Sequence, residues 1–412
     1  MAKKPANKDL LVGIDIGTSK VVTLVGETTE EGKLNIIGMG SHPSQGLKRG
    51  VVVNIEATVQ SIQRSVEDAE HMAGCEIFSA YTGIAGSHIR SVNSHGIVAI
   101  RDREVSQHDV ERVIDAAKAI AIPADQRILH VLPQEFIIDS QDSIREPVGM
   151  SGVRLEAKVH IVTGAIGAAQ NIVKCMKRCG LATSDVVLEQ FASSQSILTE
   201  DEKELGVCMI DIGGGTSDIA IFTDGAIRHT AVIPIAGDQV TNDIAIALRT
   251  PTRNAEDIKI NHGCALQELV DTHEMIDIPT IGDRSGRRVA KRMLAEVVEA
   301  RYEELFTLVL GELRRSGLEN MIAAGVVLTG GASNVKGAEE LAERIFNVPV
   351  RLGQPQGISG LSDIIKNPIY ATCVGLLVYG HKQRLSQHET VIQQPNMKSL
   401  WDRMKNWFQG NF

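Results

Sequence analysis

The residues best suited to chemistry occur twice. Asp15 opens the run "DIGTSK" and Asp211 opens "DIGGGTSD", 196 residues later. Each joins one carboxylate to a turn of glycines and hydroxyl residues, between β-branched runs. Small residues let backbone N–H groups crowd around an anion, as the phosphates of a nucleotide require. Gly17, Thr18 and Ser19 in one turn, and Gly213, Gly214, Gly215 and Thr216 in the other, can aim amides and hydroxyls at phosphate oxygens. Charge repulsion keeps Asp15 and Asp211 off the phosphates, so their natural role is to hold the water shell of a magnesium ion. Lys20 can set an ammonium beside a β- or γ-phosphate. Taken singly, either run reads more simply as a plain hairpin turn. A third piece, "VVLTGGASNV" at 326–335, is a strand running into Gly330, Gly331 and Ala332. A glycine pair there lets an adenine ring or ribose lie against backbone. The three in this order point to a nucleotide with Mg2+.

Strands alternate with helical patterns through most of the chain, which predicts an α/β architecture. Leu10 to Ile16 and Lys20 to Val25 read as paired strands. Helices are expected from Glu56 to Ala73 and from Ala165 to Cys179, each ended by a glycine. Residues from Ile84 to Thr163 differ: short strands flank one helix, with Ser106 as N-cap and Asp109 completing a weak capping box. This stretch reads as an inserted subdomain for partner contact. A second α/β half starts at Val207, with helical patterns at Gly237–Leu248, Asn254–Gly263 and Val289–Arg315, and an apolar helix at Ile369–Tyr379. After Lys382 the composition turns polar and reads as a flexible linker.

The chain has 412 residues and a net charge of −9, which disfavours a nucleic-acid-binding surface. The start carries no apolar secretory core, and no run approaches the roughly 18 apolar residues of a spanning helix. The six cysteines form no CxxC pair. Cys175 and Cys179, four apart, have no partner cluster and read as idle thiols of a reducing compartment.

Two acidic phosphate turns followed by a late Thr-Gly-Gly loop resemble the actin-like ATPase superfamily. Within it, "SQGLKRGVVVNIE", "LPQEF", "EPVGMSGVRLEAKVHIVTG", "LGVCMIDIGGGTSDIAIF", "AEDIKINHGCAL", "LAEVVEARYEEL" and "AAGVVLTGGASNVKG" resemble the FtsA family of bacterial cell-division proteins, over Leu10 to Lys382. The resemblance implies an actin-like (ribonuclease H-like) fold of two halves around an ATP cleft. It implies a first subdomain of residues 1–83, 164–196 and 362–385, an inserted one of 84–163, a second of 197–229 and 302–361, and a small one of 230–301. It brings Glu256 and Lys259 near the ribose, although an exposed i, i+3 ion pair is the competing reading. Where related ATPases show Glu-Pro-x-Ala-Ala, this chain has "LEQFASSQS". Glu189 or Gln190 would orient the attacking water, and the departure from the motif implies slow or conditional hydrolysis. The family also implies self-polymerisation, later division proteins as partners of the insertion, and a peripheral site on the cytoplasmic side of the inner membrane.

The tail, residues 397–412 after a linker at 386–396, carries its own signal. On a helical wheel Met397, Leu400, Trp401, Met404, Trp407 and Phe408 fall within roughly 120°. Lys398, Arg403 and Lys405 against Asp402 make the other face basic, and both tryptophans of the chain lie here. An aromatic face opposite a basic one suits an in-plane membrane helix, with docking on its own domain or a partner as the alternative. A second basic run contains Arg287, Arg288 and Lys291. It reads equally as a solvated face, but the resemblance makes its subdomain, with Arg301, the site for the acidic C-terminal peptide of FtsZ. A small-molecule kinase of the same superfamily is the competing function, but no second substrate pocket with a base aspartate is evident. A chaperone ATPase would need a substrate domain beyond Lys382.

Overall fold

Leu10–Ile16 (LLVGIDI) and Val207–Ile212 (VCMIDI) are nearly continuous apolar runs, the composition of strands covered on both faces. In the computed structural model, which describes residues 10–29, 31–279 and 286–393, each lies inside its own sheet. The first sheet runs Ala182–Leu188, Ser79–Ile84, Leu10–Ile16, Lys20–Thr28, Leu34–Pro43, Ile358–Gly360. The second runs Ala226–Ile233, Ser217–Thr223, Val207–Ile212, Val326–Thr329, Val350–Leu352. The topology repeats. In each sheet the strand bearing the aspartate pairs antiparallel with the next strand and parallel with a later one. Asp15 lies opposite Val22 and Asp211 opposite Asp218, so both carboxylates stand at the penultimate position of their strand, beside the glycine turn.

The helix Ile55–Ala73 begins at Asn54, whose side chain accepts from the Ala57 amide, and ends at Gly74 in the left-handed region (φ 64°). With Ile166–Arg178 it covers one face of the first sheet. The helix Ala371–Gln393 covers the other, packing Val374 and Leu377 on Leu11, Val22 and Leu24. It also crosses Glu189–Ile197 between the two halves, where a Cβ on Gly375 would strike the Ala192 carbonyl.

The insertion is a four-stranded sheet, Arg90–Ala99, Arg154–Ala165, Gln126–Ile138, Gln141–Ile144, with the helix Gln107–Ala117 packed on it. The expected capping box is present: Ser106 Oγ accepts from the Asp109 amide, and the Ser106 amide donates to Asp109 Oδ2. The insertion rests on Ala226–Ile233, the edge strand of the second sheet. Side chains of the insertion meet the carbonyls of that edge: Gln134 donates to Ile227, Asn93 to Arg228 and Ser91 to Thr230, at 2.9, 3.1 and 3.1 Å. His160 joins Asn93 to Thr230 Oγ1 in the same seam, with contacts of 2.7 and 3.0 Å.

Several expectations shift. The helix predicted from Val289 starts at Lys291, because Arg287–Ala290 pairs with Met275–Ile278 as a hairpin that buries Ile276 and Ile278. The stretch after Lys382, read as a linker, continues the helix to Gln393. Its residues are polar but contain no glycine or proline before Pro395, and Arg384 donates to the Leu10 carbonyl at 2.7 Å, so a helix begun in the core propagates outward. The strand Ala226–Ile233 and the helix Lys291–Arg315 run unbroken through positions 229 and 301, and Ile358–Gly360 joins the first sheet.

Candidate functional site

The two glycine turns face each other. A Cβ on Gly215 would lie 2.7 Å from Thr18 Oγ1, and one on Gly214 would fall on Ser19 Oγ. The Gly50 amide donates to Thr18 Oγ1 at 3.0 Å, fixing the first turn. The second is fixed by the start of the helix Gly237–Leu248, whose Gly237 and Asp238 amides donate to Gly213 and Gly214 carbonyls at 3.1 and 2.8 Å.

Asp15 and Asp211 are both buried, 8% and 7% exposed; Asp15 feels the charge of Asp211, and both feel Lys20. Burial pushes Asp15 up to about 7, with Lys20 opposing and Asp211 reinforcing. Burial brings Lys20 down to about 8, and its ammonium stands 5.0 Å from the centre of the Tyr370 ring. Asp211 is raised by burial and held back by hydrogen bonds from Ser193 and Thr372. Glu189 is pushed far above the usual carboxylate range by burial and by Asp15, Asp218 and Asp211, so it shares this acidic space. Gln190 is fully buried, and both its amide oxygen and nitrogen lack a partner.

The late loop reaches the same place. A Cβ on Gly330, at φ 85°, would collide with Asp211 Oδ1 and the Ile212 carbonyl. Tyr302 Oη donates to the Ala332 carbonyl at 2.6 Å, and Gly331 opens the short turn Gly331–Asn334. Lys259, only 7% exposed, donates through Nζ to the Gly237 carbonyl, Thr241 Oγ1 and Glu256 Oε2 at 3.1, 2.8 and 2.7 Å. Glu256 and Lys259 do form an i, i+3 ion pair, buried at Lys259 but with the Glu256 side chain 40% exposed. A Cβ on Gly237 would lie 3.3 Å from both the Gly213 carbonyl and Lys259 Nζ, and 3.4 Å from Ala332 Cβ. That one position joins second turn, helix start, lysine and late loop.

Sequence reasoning missed three members. Asp218 is 4% exposed, burial pushes it up to about 7, and it accepts from Thr216 Oγ1 at 2.8 Å while its Oδ1 lacks a partner. Its signal was available, since a four-residue turn in an antiparallel hairpin sets 218 opposite 211. Ser193 and Thr372 left no such signal, because they meet Asp211 only in the folded chain.

The basic run is not brought to one point. Arg287 donates to the Leu248 carbonyl at 2.6 Å, Arg288 lies 3.7 Å from Asp277, and Lys291 pairs with Glu274 at 2.8 Å. Arg301 pairs with Asp243 at 2.6 Å and with Glu304. Arg287 and Arg288 are the exposed members of the four, with the Arg288 side chain 71% exposed. Met397, Leu400, Trp401, Met404, Trp407 and Phe408 lie outside the described residues. Among the described residues no helix is long and apolar enough to cross a membrane, and no three His, Cys, Asp or Glu side chains are grouped to hold an ion directly.

A family model described as cell division protein FtsA matches residues 208–375, and one described as the SHS2 domain inserted in FTSA matches 86–163. The chain is 63% identical to the cell division protein FtsA of Pseudomonas aeruginosa, over 98% of both chains. It is 46% identical to that of Escherichia coli K12, over 99% of this chain and 100% of the relative. Among solved structures, the PilM-PilN type IV pilus biogenesis complex matches with TM-score 0.64 at 16% identity, covering 90% of this chain and 98% of that one. MreB 5 of Spiroplasma citri bound to AMPPNP matches with TM-score 0.58 at 15% identity, covering 94% and 100%. At such identities the likeness to these structures is one of fold, and the fold is actin-like with an inserted SHS2 domain.

Proposed function

The chain belongs to the FtsA family of cell-division proteins, and from that premise we propose that it binds ATP with magnesium between its halves, polymerises, and tethers FtsZ filaments to the cytoplasmic face of the membrane. The observation that carries the nucleotide part is the meeting of two glycine turns, a third glycine loop and buried carboxylates at one point.

The residues fit the cofactor. Positions 214, 215 and 330 have no room for a Cβ and position 237 is tight, so the backbone is closely packed there, as a phosphate and ribose cradle needs. The unpartnered polar atoms of Gln190 and Asp218 are buried where water or a hydrated ion would satisfy them. Gly17, Thr18, Ser19 and Gly213 to Thr216 would hold the phosphates, with Lys20 neutralising them. Asp15 and Asp211 would hold magnesium through water, and the ion supplies charge neutralisation when bound. Glu256 and Lys259 would meet the ribose, and Gly330, Gly331 and Ala332 the adenosine. Glu189 or Gln190 would orient a water in slow hydrolysis.

The tail, residues 397–408, would moor the filament. One short amphipathic helix binds lipid weakly, but many on one polymer bind cooperatively. The small subdomain, through Arg287, Arg288, Lys291 and Arg301, would meet the acidic FtsZ peptide, and the insertion would meet later division proteins or a neighbouring subunit.

Two experiments test this. Calorimetry of the folded chain should show Mg-ATP uptake, and no uptake of adenine nucleotide would refute the cleft reading. Liposome co-sedimentation with ATP should pellet the full chain but not one ending at Gln393. Equal pelleting of both would remove the tail from its role.

A further inference from the structure

Two hydroxyls converge on one oxygen beneath the cleft. Ser193 Oγ donates to Asp211 Oδ2 at 2.6 Å, Thr372 Oγ1 to the same oxygen at 3.3 Å, and the two hydroxyls are 3.0 Å apart. Ser193 is fully buried and Thr372 is 7% exposed. They belong to the helices Glu189–Ile197 and Ala371–Gln393, which cross between the halves, while Asp211 belongs to the second sheet. The crossing is a backbone contact, with Gly375 seated on Ala192, the residue before Ser193. Oδ1 of Asp211 faces the other way, toward the position a Cβ of Gly330 would take. A buried carboxylate oxygen with two hydroxyl donors is fixed in direction, because turning it would strand those donors.

We propose that Ser193 and Thr372 are positioning residues that aim Asp211 at the bound cation, so that magnesium-nucleotide binding depends on how the two helices cross. The proposal rests on the reading that Asp211 faces the hydration shell of magnesium. Any swing of one half about the crossing moves the hydroxyls and turns the carboxylate with them. Occupancy of the cleft and the angle between the halves are thereby one equilibrium, read at a single oxygen.

The test is titration of the full chain with ADP, once with magnesium and once with EDTA, with tightening by magnesium as the readout. Asp211→Asn should abolish most of that tightening. Ser193→Ala with Thr372→Val should reduce it about tenfold, with the loss confined to the magnesium arm. The hydroxyl-preserving pair Ser193→Thr with Thr372→Ser should restore it. If Asp211→Asn loses the tightening and the hydroxyl-free pair keeps it, the positioning role is overturned while the cleft reading stands. An equal loss in both arms overturns it too, since that marks mere structural damage. If Asp211→Asn keeps the full tightening, the underlying reading fails. Should the hydroxyl-free pair not fold, the single variants Ser193→Ala and Thr372→Val carry the same comparison.

Discussion

Replacing His160 by glutamine should flatten part of the acid dependence of stability. Burial pushes His160 down to about 4 from its ordinary 6.5, with His229 contributing. Its neighbours suit the neutral ring: Asn93 Oδ1 accepts from Nδ1, Thr230 donates to Nε2, and the nearby His229 is itself paired with Glu312 at 2.7 Å. A base with a lowered folded pKa gives stability that is complete above the unfolded value and is lost as pH falls. The loss runs from pH 6.5 toward 4. Linkage puts the cost at about 2 kcal/mol at pH 5, and close to zero at pH 7.5. Asp15 and Asp218, pushed up to about 7, act with the opposite sign: their stabilisation is full below the unfolded value of 3.8 and fades as pH rises through 7. The profile of the natural chain alone therefore mixes both. The diagnostic quantity is the difference between natural chain and His160→Gln in urea unfolding at a series of pH values. The natural chain should lose about 2 kcal/mol relative to the variant between pH 7.5 and 5. A difference independent of pH would refute the reasoning.

Three further outcomes are expected. Gly330→Ala puts a side chain on Asp211 at a left-handed backbone position, so Mg-ATP affinity by calorimetry should fall at least about tenfold, while melting drops only a few degrees. Arg288→Glu reverses an exposed cation of the small subdomain, so affinity for an acidic FtsZ tail peptide should weaken and lose part of its salt dependence in anisotropy titrations, with Mg-ATP binding intact. Ser106→Ala removes the capping box of the inserted helix and should cost about 1 kcal/mol in chemical denaturation.

The duplicated hairpins were legible because an acid, a glycine turn and a β-branched run are local features, and a hairpin turns spacing directly into register. The insertion and its cap were legible for the same reason. Ser193 and Thr372 were not, since their shared oxygen lies 18 and 161 residues away and nothing local distinguishes them from other buried hydroxyls. Val289 and Ala290 followed the helical pattern of their neighbours, but pairing of Arg287–Ala290 with Met275–Ile278 outweighed that propensity. The polar stretch after Lys382 misled in the opposite way: polarity alone does not end a helix, and one anchored at Ala371 continues where no glycine or proline interrupts it.

The seam between the insertion and Ala226–Ile233 has a consequence for protein engineering. Excising residues 84–163 would remove more than a docking module. It would strip Ile227, Arg228 and Thr230 of the side chains that occupy their carbonyls and leave a naked sheet margin, prone to stick to other chains. Chimeras between relatives should instead transplant Ser91, Asn93, Gln134 and His160 together with the strand they sheathe, so that lock and keyhole travel as one cassette.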